Sequence, residues 1–333
     1  MNNISANKTS RMLLATEEEV FEKLVKADDP FRRLNELFDF NKLATSLASC
    51  YSELGTTGIA VEKGFKALLV QFWEDYSDRQ MEMSLHNNIT VRWFCGFGLL
   101  EETPDHSYFS KLRKRIGPER LAELLQKVNE AMKKKNLFGE VFTFIDASSI
   151  ITKTALWEER DRAIKDGEEK LKNAIINKYT ADKEAKWGAK SKNNIWFGYK
   201  RHNAVDMRYG LIDKVAVTPA NTPDYKAVKY IAPHQGLVFM DKGYDYQEAD
   251  QIIIANGATP ATLRKNNNKQ KNFDLDQWHS KIRMPFESTF SKQSKRAKYR
   301  GQDKVTFQCI AEALVYNLKK AVRILPHLTI GST

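Results

Sequence analysis

Three carboxylates hold positions where an acid does chemistry rather than solvation. Asp146 follows the run Val141-Phe-Thr-Phe-Ile145, Asp241 follows Leu237-Val-Phe-Met240, and Glu287 lies inside the most basic stretch of the chain. A carboxylate at the carboxyl end of a buried strand is costly unless a cation offsets its charge. Aspartates from two neighbouring strand ends and a glutamate from a covering helix could converge on Mg2+. That ion prefers hard oxygen ligands and keeps waters and substrate phosphate in its remaining positions. Two such ions about 4 Å apart activate an attacking oxygen and stabilise a leaving one in phosphodiester cleavage. Each acid also has an ordinary reading. Aspartates after strands serve as turn residues, and Arg283 stands four residues before Glu287, within helical ion-pair reach.

The charge around these acids suits a polyanionic substrate. The 333 residues carry 53 Lys+Arg against 42 Asp+Glu, a formal net charge of +11. Between Arg264 and Arg300 eleven cations face only Asp274, Asp276 and Glu287, and Lys183 to Arg201 holds six against Glu184 alone. Two basic stripes with interleaved aromatics read as a surface that tracks phosphates; a merely solvated face is the bland alternative. Lys200, Arg201, Arg283, Lys295, Lys298 and Arg300 are the candidate contacts within them. His202 reads as a phosphate contact or, more simply, as a polar residue at a strand edge. Trp196 reads as core, whereas Trp278 is free to stack on an unpaired base. Three cysteines without a CxxC pair exclude a disulfide scaffold and a cysteine-rich zinc module, and predict a reducing, cytoplasmic setting. No signal peptide is expected from the polar Met1 to Arg11, and no run approaches the roughly 18 apolar residues of a membrane span. Without a GxxxxGK loop, an ATP-driven motor is not expected.

Patterning then indicates what must position these groups. The chain reads as helical to about residue 136, opening on the capping box Thr16-Glu-Glu-Glu19 and continuing through a second helix at Asp29-Pro30. A helix over 78–95, a break at Gly96–Gly98 and a short basic helix ended by Gly117 outline a helix-turn-helix reader. Arg113, Lys114 and Arg115 are its candidate DNA contacts; a helical hairpin with a solvated basic face is the alternative. From Glu140 the period changes to strands, at 141–145, 199–206, 211–217, 237–240 and 259–263, with a helix at 246–255. Pro285 to Lys298 reads as a helix placing Glu287, Ser291, Ser294, Lys295 and Lys298 on one face, and Asp303 to Leu325 as a long amphipathic helix. The expected class is α/β. A helical domain spans 1–136, a mixed-sheet domain 137–325 with a charged insertion at about 151–194, and a tail 326–333.

At these residues the chain resembles bacterial insertion-sequence transposases of the DDE type, in the insertion-sequence-five group. The motifs are Asp29-Pro-Phe-Arg-Arg-Leu34, Thr103-Pro-Asp-His-Ser107, Phe144-Ile-Asp-Ala-Ser148 and Trp196-Phe-Gly-Tyr-Lys-Arg-His202. They continue with Pro219-Ala-Asn-Thr-Pro-Asp224, Asp241-Lys-Gly-Tyr-Asp245 and Glu287-Ser-Thr-Phe290 before Tyr299-Arg-Gly301. The ordered set runs over nearly the whole chain. It implies a ribonuclease-H-like catalytic core behind an all-α DNA-binding domain, with Asp146, Asp241 and Glu287 as catalytic and metal-binding triad. It also implies Mg2+, with Mn2+ able to substitute, double-stranded DNA as terminal inverted repeats and target, a homodimer in the active complex and a nucleoid-associated, non-membrane location. The family's tyrosine before the third acid is Ser280 here, and its basic residue seven positions after is Ser294, with Lys295 next. Two rival functions share the fold: a catalytically silent DNA-binding regulator, and a metal-dependent nuclease that does not join.

Overall fold

The computed structural model describes residues 16–50, 58–152, 180–191, 194–268, 271–286, 289 and 293–330. Its first part is helical, and the helices start where side chains can cap them. Thr16 and Glu19 form the capping box of α1 (Glu17–Leu24), and Asp29 caps α2 (Pro30–Leu37), whose proline occupies a first-turn position. α3 (Phe40–Thr45), α4 (Val61–Trp73), α5 (Asp78–Asn87) and α6 (Ile89–Cys95) follow. The single helix expected over 78–95 is divided at Asn88, whose side-chain oxygen accepts from the Thr90 and Val91 amides and caps α6. α7 (His106–Lys133) is two helices across a kink. Asp105 caps the first, Gly117 interrupts at φ 69°, ψ 169°, and Pro118 opens the second.

Among the described residues six strands form one mixed sheet: β1 (Phe142–Ile151), β2 (Lys186–Ser191), β3 (Asn194–Asp206), β4 (Leu211–Pro219), β5 (Leu237–Met240) and β6 (Thr259–Thr262). The order is β2-β3-β1-β5-β6, with β4 also paired to β3. β3 is antiparallel to its partners, whereas β5 runs parallel to both β1 and β6. Among the described residues the α-helices that follow the fourth strand are α8 (Val228–Ile231), α9 (Gln247–Ala255), α10 (Phe273–Arg283) and α11 (Gln302–Ile330).

Alternation along β1 divides its side chains between two layers. Ile145 packs with Val228, Ile231 and Ile253 of α8 and α9. On the opposite face Phe144 joins the largest cluster, and Ile150 meets Val305 and Cys309 of α11. That largest cluster is shared: Phe31, Phe65, Leu112 and Leu124 of the helical region lie in it with Ile310, Leu314, Leu318 and Val322 of α11. A buried amide pair reinforces the junction. Asn317 of α11 accepts from the Ile212 amide at 2.8 Å and donates to the Ile212 carbonyl and to Asn129 of α7, at 2.7 and 2.9 Å.

Three sequence expectations need correction. β1 does not end at Asp146 but continues five residues further, because β3 pairs with it as far as Ile151↔Gly198. The stretch 151–194 is not all insertion: residues 153–179 lie outside the described residues, but β2 is part of the sheet. Before it, buried Asp182 binds the Tyr199 hydroxyl at 2.8 Å and the Gly301 amide at 3.0 Å. Pro285 to Lys298 is not one helix. Met284–Phe286 is a single 3-10 turn, and by Lys295 the backbone is extended, donating and accepting hydrogen bonds with Ile151. The expected helical face of Ser294, Lys295 and Lys298 therefore does not form.

Candidate active site

β1 and β5 are adjacent parallel strands whose last register pair is Ile145↔Met240. The next residue on each is an acid, Asp146 and Asp241. Ile145 and Met240 face α8 and α9, so the two aspartates lie on the opposite face, on backbones that neighbouring strands hold about 5 Å apart. Both are half-buried, and each accepts a 2.7 Å bond from the amide that follows it, Ala147 and Lys242. β5 stops at Met240, which frees Asp241 from the ladder and begins a tight 3-10 turn, Lys242–Tyr244.

On the same face Asn203 of β3 is the register partner of Asp146. It is fully buried and donates to Gln293 Oε1 at 2.7 Å. Asn203 Oδ1 and Gln293 Nε2 have no hydrogen-bond partner among the described residues, an expensive state for buried amides unless something beyond those residues satisfies them. On the other side of this face Trp278 and His279 of α10 pack on Phe239, two residues before Asp241. Trp278 and His279 before residues 287–292, and Gln293 after them, thus pack on the strands that carry the aspartates or beside them. Glu287 lies outside the described residues.

Around the Asp241 turn lies a second, inner group of polar residues, of which Tyr244 and Thr218 had no role in the sequence reading and His202 had a different one. Tyr244 is buried, and its hydroxyl meets His202 Nδ1 at 3.1 Å; His202 Nε2 meets Thr218 Oγ1 at 2.9 Å. Burial, then the charges of Asp224, Asp146 and Asp241, push the Tyr244 phenol well above its ordinary range. Burial likewise lowers the His202 imidazole to about 4, so it is neutral at pH 7. His202 is therefore not a residue of a strand edge but lies at the centre of the sheet, on a strand paired on both sides. Lys200 pairs with Asp224 at 2.6 Å and donates to the Thr222 carbonyl at 2.7 Å.

Of the expected DNA contacts, two are corrected by their surroundings. Arg201 is fully buried and ion-paired to Glu312 of α11 at 2.5 Å, because its position on β3 faces the helix rather than solvent. Arg113 is bidentate to Asp78 at 2.7 Å and lies over the Tyr299 ring, joining α7 to α5. Burial opposes ionisation of Asp78, but Arg113 and Gln71 more than compensate and lower its carboxyl. Lys298 pairs with Asp75 above Phe72. Lys114, Arg115, Lys295 and Arg300 are exposed. The Arg283 side chain is outside the described residues. Trp196 is buried as expected, its indole donating to the Tyr199 carbonyl at 3.1 Å.

The donor chemistry fits a hard divalent cation: two carboxylates in register, with an unsatisfied amide oxygen on the neighbouring strand. Among the described residues no group of three or more Asp, Glu, His or Cys side chains could by itself hold a metal ion, so a complete site needs a further ligand.

Two family descriptions match the chain. Residues 19–115 match "Transposase domain (DUF772)", and residues 137–318, more than half the chain, match "Transposase DDE domain". Among solved structures, the chain is similar to a piggyBac transposase in a synaptic complex with hairpin DNA. The identity is 8%, over 91% of this chain and 80% of that one, at a TM-score of 0.38, a loose likeness.

Proposed function

Because this chain belongs to the DDE transposase family, we propose that it cuts and joins DNA at the ends of the mobile element encoding it, using Asp146, Asp241 and Glu287 as metal-binding acids. Family membership makes the chain a DNA transposase with a ribonuclease-H-like catalytic core and a divalent-metal requirement. The observation that carries the residue assignment is the placement of Asp146 and Asp241, each one step past Ile145↔Met240 on adjacent parallel strands. Glu287 is assigned by its motif alone. Mg2+ is the proposed metal, with Mn2+ a substitute; when bound it supplies Lewis-acid polarisation of the reacting phosphate and charge neutralisation.

The chemistry is two phosphoryl transfers at one site. In the first, a water oxygen attacks the phosphorus at the element's end, and the 3′-oxygen leaves and takes a proton. In the second, that 3′-hydroxyl gives up its proton and attacks a target phosphodiester, whose own 3′-oxygen departs. Neither transfer needs a protein nucleophile. Asp146 and Asp241 would supply the negative charge that binds the metal, and the amide hydrogen bonds they accept orient them. Residues 78–117 would read the terminal inverted repeat through Lys114 and Arg115, while Lys295 and Arg300 would grip phosphates. Two ends must be processed together, so a dimer is the proposed active form.

The test is a cleavage and strand-transfer assay on labelled element ends with Mg2+ or EDTA. Asp146→Asn, Asp241→Asn and Glu287→Gln should each lose cutting and joining by at least about 100-fold, with end binding retained. Tight end binding without cutting by wild type, in Mg2+ or Mn2+, would favour the silent regulator. Cutting without joined product would favour the nuclease.

A further inference from the structure

The turn that carries Asp241 is held from three directions, and one of these holds runs through the centre of the sheet. The Tyr244 amide donates to the Asp241 carbonyl at 2.9 Å, so the tyrosine and the acid are two ends of one 3-10 turn. The Tyr244 ring is buried and its hydroxyl reaches His202 on β3, which in turn reaches Thr218 on β4. On the outer side Asp245 accepts from Arg264 and from the Lys265 amide, both at 2.8 Å. Gly243 lies so close to Asp224 that a Cβ there would sit 2.9 Å from its carboxylate oxygen.

The inner hydrogen bonds occupy both nitrogens of the His202 ring. A neutral imidazole carries one N–H, so His202 donates to one of Tyr244 Oη and Thr218 Oγ1 and accepts from the other. β5 has only four residues and its ladder ends at Met240, so the strand alone cannot fix the residue after it. The chain through His202 does so, tying the turn to β3, the strand that also pairs with Asp146.

We propose that Tyr244, His202 and Thr218 are positioning residues that hold Asp241 in register with Asp146. The proposal rests on the assignment of those two aspartates as metal ligands. None of the three touches substrate; they act through the backbone of Asp241.

The experiment uses the full chain, with Mn2+ as probe. Isothermal calorimetry of the DNA-free protein measures Mn2+ affinity, alongside thermal unfolding, end binding and strand transfer. Tyr244→Phe should weaken Mn2+ binding and strand transfer by about 10- to 100-fold while end binding stays intact. Thr218→Val should act in the same direction, Thr218→Ser should restore wild-type values, and Tyr244→Phe with Thr218→Val should be little worse than Tyr244→Phe alone. If the doubly substituted chain does not fold, the comparison of Thr218→Val with Thr218→Ser decides. Wild-type Mn2+ affinity in Tyr244→Phe overturns the proposal alone, as does equal loss in Thr218→Ser and Thr218→Val. Wild-type Mn2+ binding unchanged by Asp241→Asn overturns the assignment of the acids instead, and this proposal with it.

Discussion

Arg201 and Lys200 are neighbours in a basic stripe, yet side-chain alternation sends them to opposite faces of β3, one into α11 and one to Asp224. A charge run in a sequence gives the number of cations but not which of them reach solvent. The same alternation buries His202, whose neutrality gives a measurable pH signature. Its folded value of about 4 lies below the ordinary 6.5, so the unfolded chain binds the extra proton first as pH falls. The stability this histidine supports is complete above about pH 6.5 and declines as pH drops toward 4, by about 3 kcal/mol in all. Denaturant titrations between pH 7 and 4 should show that decline, and His202→Gln should flatten it. A slope unchanged by the substitution would assign it to other groups.

At the scale of elements, the amide pair between α7, β4 and α11 is the most exposed to a single change. Asn317→Leu leaves the Ile212 amide and the Asn129 oxygen without their partner, at about 1–3 kcal/mol for each buried group left unpaired. Denaturant midpoints should fall accordingly; an unchanged midpoint would mean that water replaces the lost bonds. Much of the element pattern was legible in the sequence. The capping box at Thr16, the Gly117 break, β5 ending just before Asp241 and the long terminal amphipathic helix were all expected and are present. What could not be read was decided by distant partners. β1 continues past Asp146 because β3 supplies a ladder partner, and the stretch before Lys298 is extended because Ile151 receives its backbone. Asn203, Gln293 and Tyr244 carry no local signal of function. They gain it only when the sheet brings Asp146 and Asp241 side by side, although the Asp241-Lys-Gly-Tyr-Asp245 motif already contained the tyrosine. Of the three acids, Asp241 follows β5 as the pattern indicated, Asp146 lies within β1 rather than at its end, and Glu287 stands on its motif alone.

For the whole molecule, the largest hydrophobic cluster crosses from the helical region through α11 to the sheet. Calorimetry should therefore show one cooperative transition for the full chain, and residues 16–136 expressed alone should lack a sharp transition of their own, because the face that packs on α11 would be open to water. Two separate transitions would instead give each region an independent core. The family match places residues 19–115 and 137–318 in two consecutive units, yet α11, at the end of the second, fills the core of the first. Vectorial synthesis has a particular consequence for such an arrangement. Domains usually fold as they leave the ribosome, amino-terminal unit first. Here the helical region emerges well before residues 302–330, and its apolar surface is covered only once that helix has been made. Completion of the helical core and completion of the sheet region are thus one event, which a nascent chain cannot reach until translation has passed that helix.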